Sequence, residues 1–399
     1  MLPIDVPTNA TFLLASLFIL FGAVAFIYYR YADRDRDLPP RISADYIRGL
    51  NLVLSRRTDE ALELFVQMAK VDDDTLETHF ALGHLFRRRG EIERAIRVHE
   101  NLLARPNLNE AQRHQAVFSL AEDYLGAGLF DRAEKLFDEL RDSTTLAEAA
   151  LDKLVSIYER EQEWQKAIDA QRKLEMLRGT KSSQLAHYYC ELAELARAAG
   201  NRTLAREHLR NTVRSESGAL RGTLIRATLA REEQDYAHAI PLYEQVIAAD
   251  RHFITEVLPP LLECYLAADR LPELDAYLER LMAKDATVHR ELAYAAIIGA
   301  LHGSAALTDA VERFVLEHPV LANLVNAAEL RSLPEAQRAA AIQRIAEGLR
   351  TIAMANARYR CSNCGYSTQR FIWHCPSCKH WETVRPIQSF PLETVLARP

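Results

Sequence analysis

Residues 79–103 read HFALGHLFRRRGEIERAIRVHENLL. Two amphipathic stretches flank Gly90, and small residues stand at Gly83 and Ala95, twelve positions apart. Antiparallel helices approach closely only where side chains are small, and a large residue a few positions along fills the groove beside each crossing. Phe86 and His99 are such fillers here. Gly90 follows an apolar-periodic stretch, where a helix end favours a glycine. The segment reads as a hairpin of two helices.

The pattern recurs along the chain. Thirty-four residues upstream, Gly49, Leu52, Arg56, Ala61 and Phe65 occupy the same places. Downstream come Ala121/Tyr124/Gly128/Ala133/Phe137, Val155/Tyr158/Ala167, Ala193/Gly200/Ala205 and Ala227/Ala239/Tyr243. The first position steps by 34, 38, 34, 38 and 34, while the distance to the second small residue stays at twelve. One hairpin cannot bury its apolar face alone, so such units stack into a solenoid. The residue types resemble the tetratricopeptide repeat, which has small residues at its eighth and twentieth positions and an aromatic at its twenty-fourth. Leu262/Tyr265/Leu274/Leu278 and Ile298/Leu301/Ala310/Phe314 keep the twelve-residue step without the small residues. They read as degenerate repeats, the first interrupted by Pro259-Pro260, before a final helix over about 335–357. The expectation is an all-α, superhelical solenoid over residues 44–357, binding a peptide, helix or domain of a partner. Glycine scarcity, 14 of 399 residues, agrees with helices and argues against a glycine-rich nucleotide-binding α/β enzyme. Arg87-Arg88-Arg89 reads as a solvated helix end whose charges favour the C-terminal dipole.

N-terminal to the repeats, Ala10–Tyr29 is twenty residues without a charge. As a helix it would span about 30 Å, the hydrocarbon thickness of a bilayer. The preceding residues carry no lysine or arginine for the basic region of a signal peptide, although Ala23-Val24-Ala25 offers a small-x-small motif. Residues 1–30 are thus expected to be an uncleaved transmembrane anchor and 31–43 a linker. Arg30, Arg34 and Arg36 follow the apolar run directly, which places the large C-terminal part in the cytoplasm by the positive-inside rule.

At the other end, YRCSNCGYSTQRFIWHCPSCKHW sets Cys361-x2-Cys364 and Cys375-x2-Cys378 ten residues apart. Each C-x2-C can wrap one side of an ion, and two complete a tetrahedral thiolate site. Two disulfides or a redox dithiol are the rivals, but a dithiol oxidoreductase needs one such pair in a βαβ setting. Cys361, Cys364, Cys375 and Cys378 are the expected ligands of one Zn or Fe ion, in a small C-terminal domain over residues 358–399. Four protein ligands leave no open position, so the site is expected to be structural. About forty residues cannot build an adequate core, so the metal and docking on the solenoid should hold this domain. Trp373 and Trp381 read as its packing, and His374 and His380 as neighbours of the site rather than ligands.

Net charge is −6, with +4 on residues 358–399 (six basic, two acidic) and −10 on the remainder. A metal–tetrathiolate unit of −2 lowers even the tail to about +2, against nucleic-acid binding by charge alone. The sequence holds no phosphate loop, zincin motif or nucleophile elbow. No catalytic and no cofactor-binding residues are expected, and the protein does not read as an enzyme.

The order of anchor, solenoid and metal tail, with YRC-x2-CGY and WHCPSC, resembles the bacterial lipopolysaccharide assembly protein B family, whose tail is rubredoxin-like. The resemblance covers the whole chain and is specific at Cys361–Trp381. It implies a single-pass inner-membrane adaptor with a cytoplasmic body that presents the lipid A deacetylase LpxC to the membrane-bound ATP-dependent protease FtsH. It also implies contact with inner-membrane regulatory and lipopolysaccharide assembly proteins, and is compatible with a homo-oligomer. A rubredoxin-type electron-transfer protein, a nucleic-acid-binding zinc ribbon and a membrane-tethered tetratricopeptide scaffold of general use are the alternatives.

Overall fold

The computed structural model describes residues 44–390 apart from 56, 72–75, 213–218 and 286. The expected anchor at 1–30, the linker at 31–43 and Arg56 lie outside the described residues. Among the described residues no helix is long and apolar enough to cross a membrane. The chain divides into two compact units, Met1–Ala150 and Leu151–Pro399.

The first unit carries α1 (Ala44–Leu54), α2 (Thr58–Val71), α3 (Leu76–Arg88), α4 (Ile92–Leu103), α5 (Glu110–Gly126) and α6 (Phe130–Glu139), followed by the first residues of α7 (Ala147–Glu161). They form three hairpins, α1/α2, α3/α4 and α5/α6, with consecutive hairpins packed on one another. The small residues sit where close approach demands them. A Cβ on Gly49 would come within 2.5 Å of the Phe65 ring, and one on Gly83 within 2.4 Å of His99 Nε2. Ala61, Ala95 and Ala133 are fully buried. The turn glycines Gly90 and Gly128 have φ of +80° and +76°, a conformation that costs a side chain about 1–2 kcal/mol. Asn109 caps α5 through a reciprocal pair with Gln112.

Arg87 departs from the reading as a solvated helix end. Its guanidinium reaches α5, donating to Asp123 Oδ1 at 2.6 Å, Glu122 Oε2 at 2.7 Å and the Ser119 carbonyl at 3.0 Å. Asp123 is fully buried and is also hydrogen-bonded by His99. A buried carboxylate must be paired, and here both helices of the preceding hairpin supply the partners. Arg88 stays exposed, and Arg89 pairs with Asp59 and Glu91.

The second unit continues with α8 (Trp164–Arg178), α9 (Gln184–Ala198), α10 (Arg202–Thr212), α11 (Ala219–Glu232) and α12 (Tyr236–Ala249). A 3₁₀ turn at Arg251–Phe253 leads into α13 (Ile254–Ala267), α14 (Leu271–Lys284), α15 (Val288–Gly299) and α16 (Ala305–Glu317). Ala167, Ala205 and Ala239 are again fully buried, as are Leu274 and Ala310 of the degenerate repeats. Pro259-Pro260 does not interrupt its repeat, because both prolines lie inside α13. Proline removes i→i−4 donors from a helix, but Val257, Leu258, Leu261 and Leu262 are all buried around the pair and hold the segment helical. Two short helices that the periodicity did not signal follow, α17 (Pro319–Leu324) and α18 (Ala327–Ser332). The final helix, α19 (Glu335–Met354), buries Ile342, Leu349 and Ala353. The chain then forms an antiparallel sheet of β1 (Tyr359–Cys361), β2 (Ser367–Thr368) and β3 (Val384–Pro386) in the order β2-β1-β3, with Tyr359 opposite both Thr368 and Pro386.

Candidate metal centre

The sheet and two tight turns bring Cys361, Cys364, Cys375 and Cys378 together, with all four Sγ atoms within 4.8 Å of one another. Cys361 Sγ lies 3.7 Å from Cys378 Sγ, and Cys364 Sγ lies 3.7 Å from Cys375 Sγ. Thiolates at about 2.3 Å from a tetrahedral ion stand about 3.8 Å apart, whereas disulfide sulfurs stand at about 2.05 Å. The donor set therefore fits one tetrahedral ion and does not fit two disulfides.

The two knuckles are built alike. Gly365 N–H donates to the Cys361 carbonyl at 3.0 Å, and Lys379 N–H to the Cys375 carbonyl at 2.9 Å. Both donors adopt positive φ, +77° at Gly365 and +59° at Lys379. Glycine adopts this conformation freely and lysine pays for it. Cys361 and Cys375 are buried, Cys378 is half-buried and Cys364 is exposed. The Asn363 side chain, helped by the His380 N–H, pushes the Cys378 thiol down to about 5. Burial pushes Cys375 up to about 11. Binding a cation there would release a proton, since metals take the thiolate. His374 Nε2 faces the Lys379 carbonyl at 3.1 Å and His380 Nδ1 the Cys378 carbonyl at 2.7 Å, so neither imidazole joins the thiol cluster. Cys190 and Cys264 lie elsewhere in helical cores, and burial raises them to about 12 and about 11.

The ribbon is packed against its own unit's helices. The Trp381 indole is sandwiched between His374, at 4.4 Å between ring centroids, and His187 of α9, at 4.7 Å, and its Nε1–H donates to Glu159 of α7 at 2.9 Å. Trp373 stacks on Phe253 at 5.3 Å with 14° between planes. The buried Arg221 guanidinium of α11 lies 5.6 Å from the Trp373 ring and 5.8 Å from Trp381, within cation–π range. Tyr359 donates its hydroxyl hydrogen bond to Glu256, and Arg385 donates to Asp250 at 2.7 Å. Docking on the solenoid was expected from the ribbon's size, and both tryptophans serve it. Glu159, His187, Arg221, Asp250 and Glu256 carried no signal in the sequence, because each sits at an ordinary position in or beside a helix and acquires its role only from the tail.

The comparisons agree with this geometry. Residues 359–386 match the model of a rubredoxin metal binding domain, and residues 78–111 match the tetratricopeptide repeat. Lipopolysaccharide assembly protein B of Escherichia coli K12 is 34% identical over 384 residues, covering 94% of this chain and 99% of that protein. Its namesake in Haemophilus influenzae is 30% identical over 389 residues, covering 94% and 98%. Among solved structures, MamA from Desulfovibrio magneticus RS-1 aligns with 45% of this chain and 96% of its own at 17% identity and a TM-score of 0.33. PilF of Pseudomonas aeruginosa aligns with 52% and 91% at 16% identity and a TM-score of 0.31.

Proposed function

The chain belongs to the lipopolysaccharide assembly protein B family, and on that premise we propose that it is a non-enzymatic adaptor at the bacterial inner membrane. Its finer role is to limit lipopolysaccharide synthesis by promoting FtsH-dependent proteolysis of the lipid A deacetylase LpxC. Residues 1–30 anchor it once, 31–43 connect, and the cytoplasmic body comprises the solenoid at 44–357 and the ribbon at 358–399. Cys361, Cys364, Cys375 and Cys378 hold one Zn or Fe ion, which supplies cross-linking of the two knuckles. With four thiolate ligands the site has no position open to substrate.

The observation that carries this reading is the similarity to proteins named for lipopolysaccharide assembly, which runs over 94% of the chain and takes in both repeats and ribbon. Physical support comes from the packing. The ribbon packs Trp381 and Trp373 on the helices of its unit. Repeats offer a surface for protein partners, and confinement of adaptor, protease and client to one membrane raises their effective concentration with no new contact. The test is the half-life of the deacetylase in cells with and without this protein. Depletion should lengthen it, and a Cys361→Ser variant should behave like depletion. An unchanged half-life would remove the regulatory role while leaving the family assignment standing.

A further inference from the structure

On α1, Ile47, Leu50 and Leu54 are 49, 40 and 80% exposed. Spacings of three and four put them on one face over two turns. Another face of the helix is committed to its own hairpin. Gly49 sits against Phe65, and Tyr46, Leu52 and Val53 pack on the same cluster. The stripe is peculiar to this hairpin. In the repeat register the positions of Leu50 and Leu54 are taken by His84 and Arg88, then Glu122 and Gly126, then Ser156 and Arg160, and so on to Thr228 and Glu232. No later unit places a large aliphatic at either position, so the fold does not require one there. Terminal repeats of a solenoid ordinarily carry a polar outer face. This one carries leucine.

What precedes α1 in the sequence says what meets that face. The charge-free run ends at Tyr29, and the fourteen residues at 30–43 cannot stretch beyond about 50 Å. Residues 30–57 hold seven arginines and four aspartates, a local +3 in a chain of net −6. Arginines close to a cytoplasmic leaflet are each worth about 1 kcal/mol of attraction to anionic lipid. Arg48 is exposed on the helix, whereas Arg57 beside it is paired with Glu60. A second copy of the chain fits the stripe less well, because three aliphatic side chains offer far less than the about 800 Å² per partner of a stable interface.

We propose that α1 is an interfacial helix that seats Ile47, Leu50 and Leu54 in the acyl boundary of an anionic phospholipid bilayer. The inference rests on the membrane-anchor reading and extends it. The anchor fixes distance to the membrane, and α1 fixes how the first hairpin meets it.

The experiment uses the full chain reconstituted in phosphatidylglycerol-containing vesicles with and without lipid brominated along the acyl chains. A Leu54→Trp variant reports from the stripe, a Leu50→Trp variant repeats the measurement, and a Glu93→Trp variant, at a side chain 92% exposed on α4, is the control. Emission of the wild-type chain, whose native tryptophans Trp164, Trp373 and Trp381 lie in the second unit, is subtracted. An interfacial helix buries its apolar face about 5–10 Å, within reach of the bromines, so the emission of Leu54→Trp and Leu50→Trp should fall at least about twofold while Glu93→Trp is unchanged. Vesicle flotation without quenching overturns the proposal and leaves the anchor intact. A blue shift without quenching also overturns it, showing that protein covers the stripe. Failure to float overturns the anchor reading and the proposal together.

Discussion

The Trp381 indole lies flat on the His187 imidazole, 4.7 Å between ring centroids and 11° between planes, although the two residues belong to the ribbon and to α9. His187 is almost fully buried, and its Nε2 stands 3.3 Å from Glu382 of the ribbon. The ribbon is thus part of the core of its unit. Trp381→Ala should remove this stacking, the cation–π contact with Arg221 and the hydrogen bond to Glu159. A loss near the lower end of the range of about 3–5 kcal/mol for large aromatic truncations is expected, because Trp381 is half-buried. Chemical denaturation checks the magnitude, and faster cleavage between residues 354 and 359 in limited proteolysis would locate it.

Cys375→Ser removes a fully buried thiol from the four-sulfur cluster. Bound metal should fall from about one ion per chain toward zero, since three ligands do not close a structural site. Hydrogen exchange should then accelerate across residues 359–386 and leave α3 and α4 unchanged. Chelation of the wild type should do the same, with a red shift of emission as Trp373 and Trp381 meet water.

Lys379 holds the positive φ that Gly365 holds in the other knuckle. Lys379→Gly should relieve about 1 kcal/mol of backbone strain and slow metal loss to a competing chelator. Gly365→Ala should act in the opposite sense by a similar amount. Equal metal-release rates in all three proteins would show that the knuckles are not strained as described.

Gly49→Ala drives a methyl into the Phe65 ring, where the built Cβ lies 2.5 Å from the nearest carbon. The overpacking should cost about 1–3 kcal/mol. Shortening the ring in Phe65→Leu clears that space, so the double variant should be less unstable than the sum of the single ones. The coupling, about 1 kcal/mol or more for residues in contact, is read from a double-mutant cycle.

The Asp285 carboxylate accepts hydrogen bonds from the Thr287 N–H and hydroxyl and from Arg251, which together hold it at about 2. An unfolded aspartate titrates near 3.9. A depressed folded value means that its contribution is complete above the unfolded value and is lost as pH falls through the folded one. The side-chain carboxyl resonance of Asp285 should therefore titrate near 2, and Arg251→Ala should move that midpoint upward.

The parts of this molecule written into local spacing were legible. Gly83 and Ala95 announce a crossing because the helix period fixes which residues meet, and the two C-x2-C pairs announce a four-sulfur site because the knuckle is local. Pro259-Pro260 misled, since local chemistry argues for a break while burial of Val257, Leu258, Leu261 and Leu262 decides for a helix. Arg87 misled for a related reason: its partners lie 35 and 36 residues away, one hairpin further on. The docking surface was out of reach. Trp381 and Glu159 are separated by 222 residues and Arg385 and Asp250 by 135, and nothing periodic links such positions.

Contacts of the ribbon fall on Glu159, His187, Arg221 and Glu256, one from each of four successive repeats. A bare array of repeats melts like a zipper, because each unit is stabilised only by its neighbours and the ends can fray independently. A clasp spanning four units abolishes that freedom. Opening any one of them means releasing the clasp from all, so this stretch should lose structure in a single all-or-none event. Among the described residues the helical hairpins of Met1–Ala150 have no such clasp within their own unit, and their amides should exchange through graded, end-first openings.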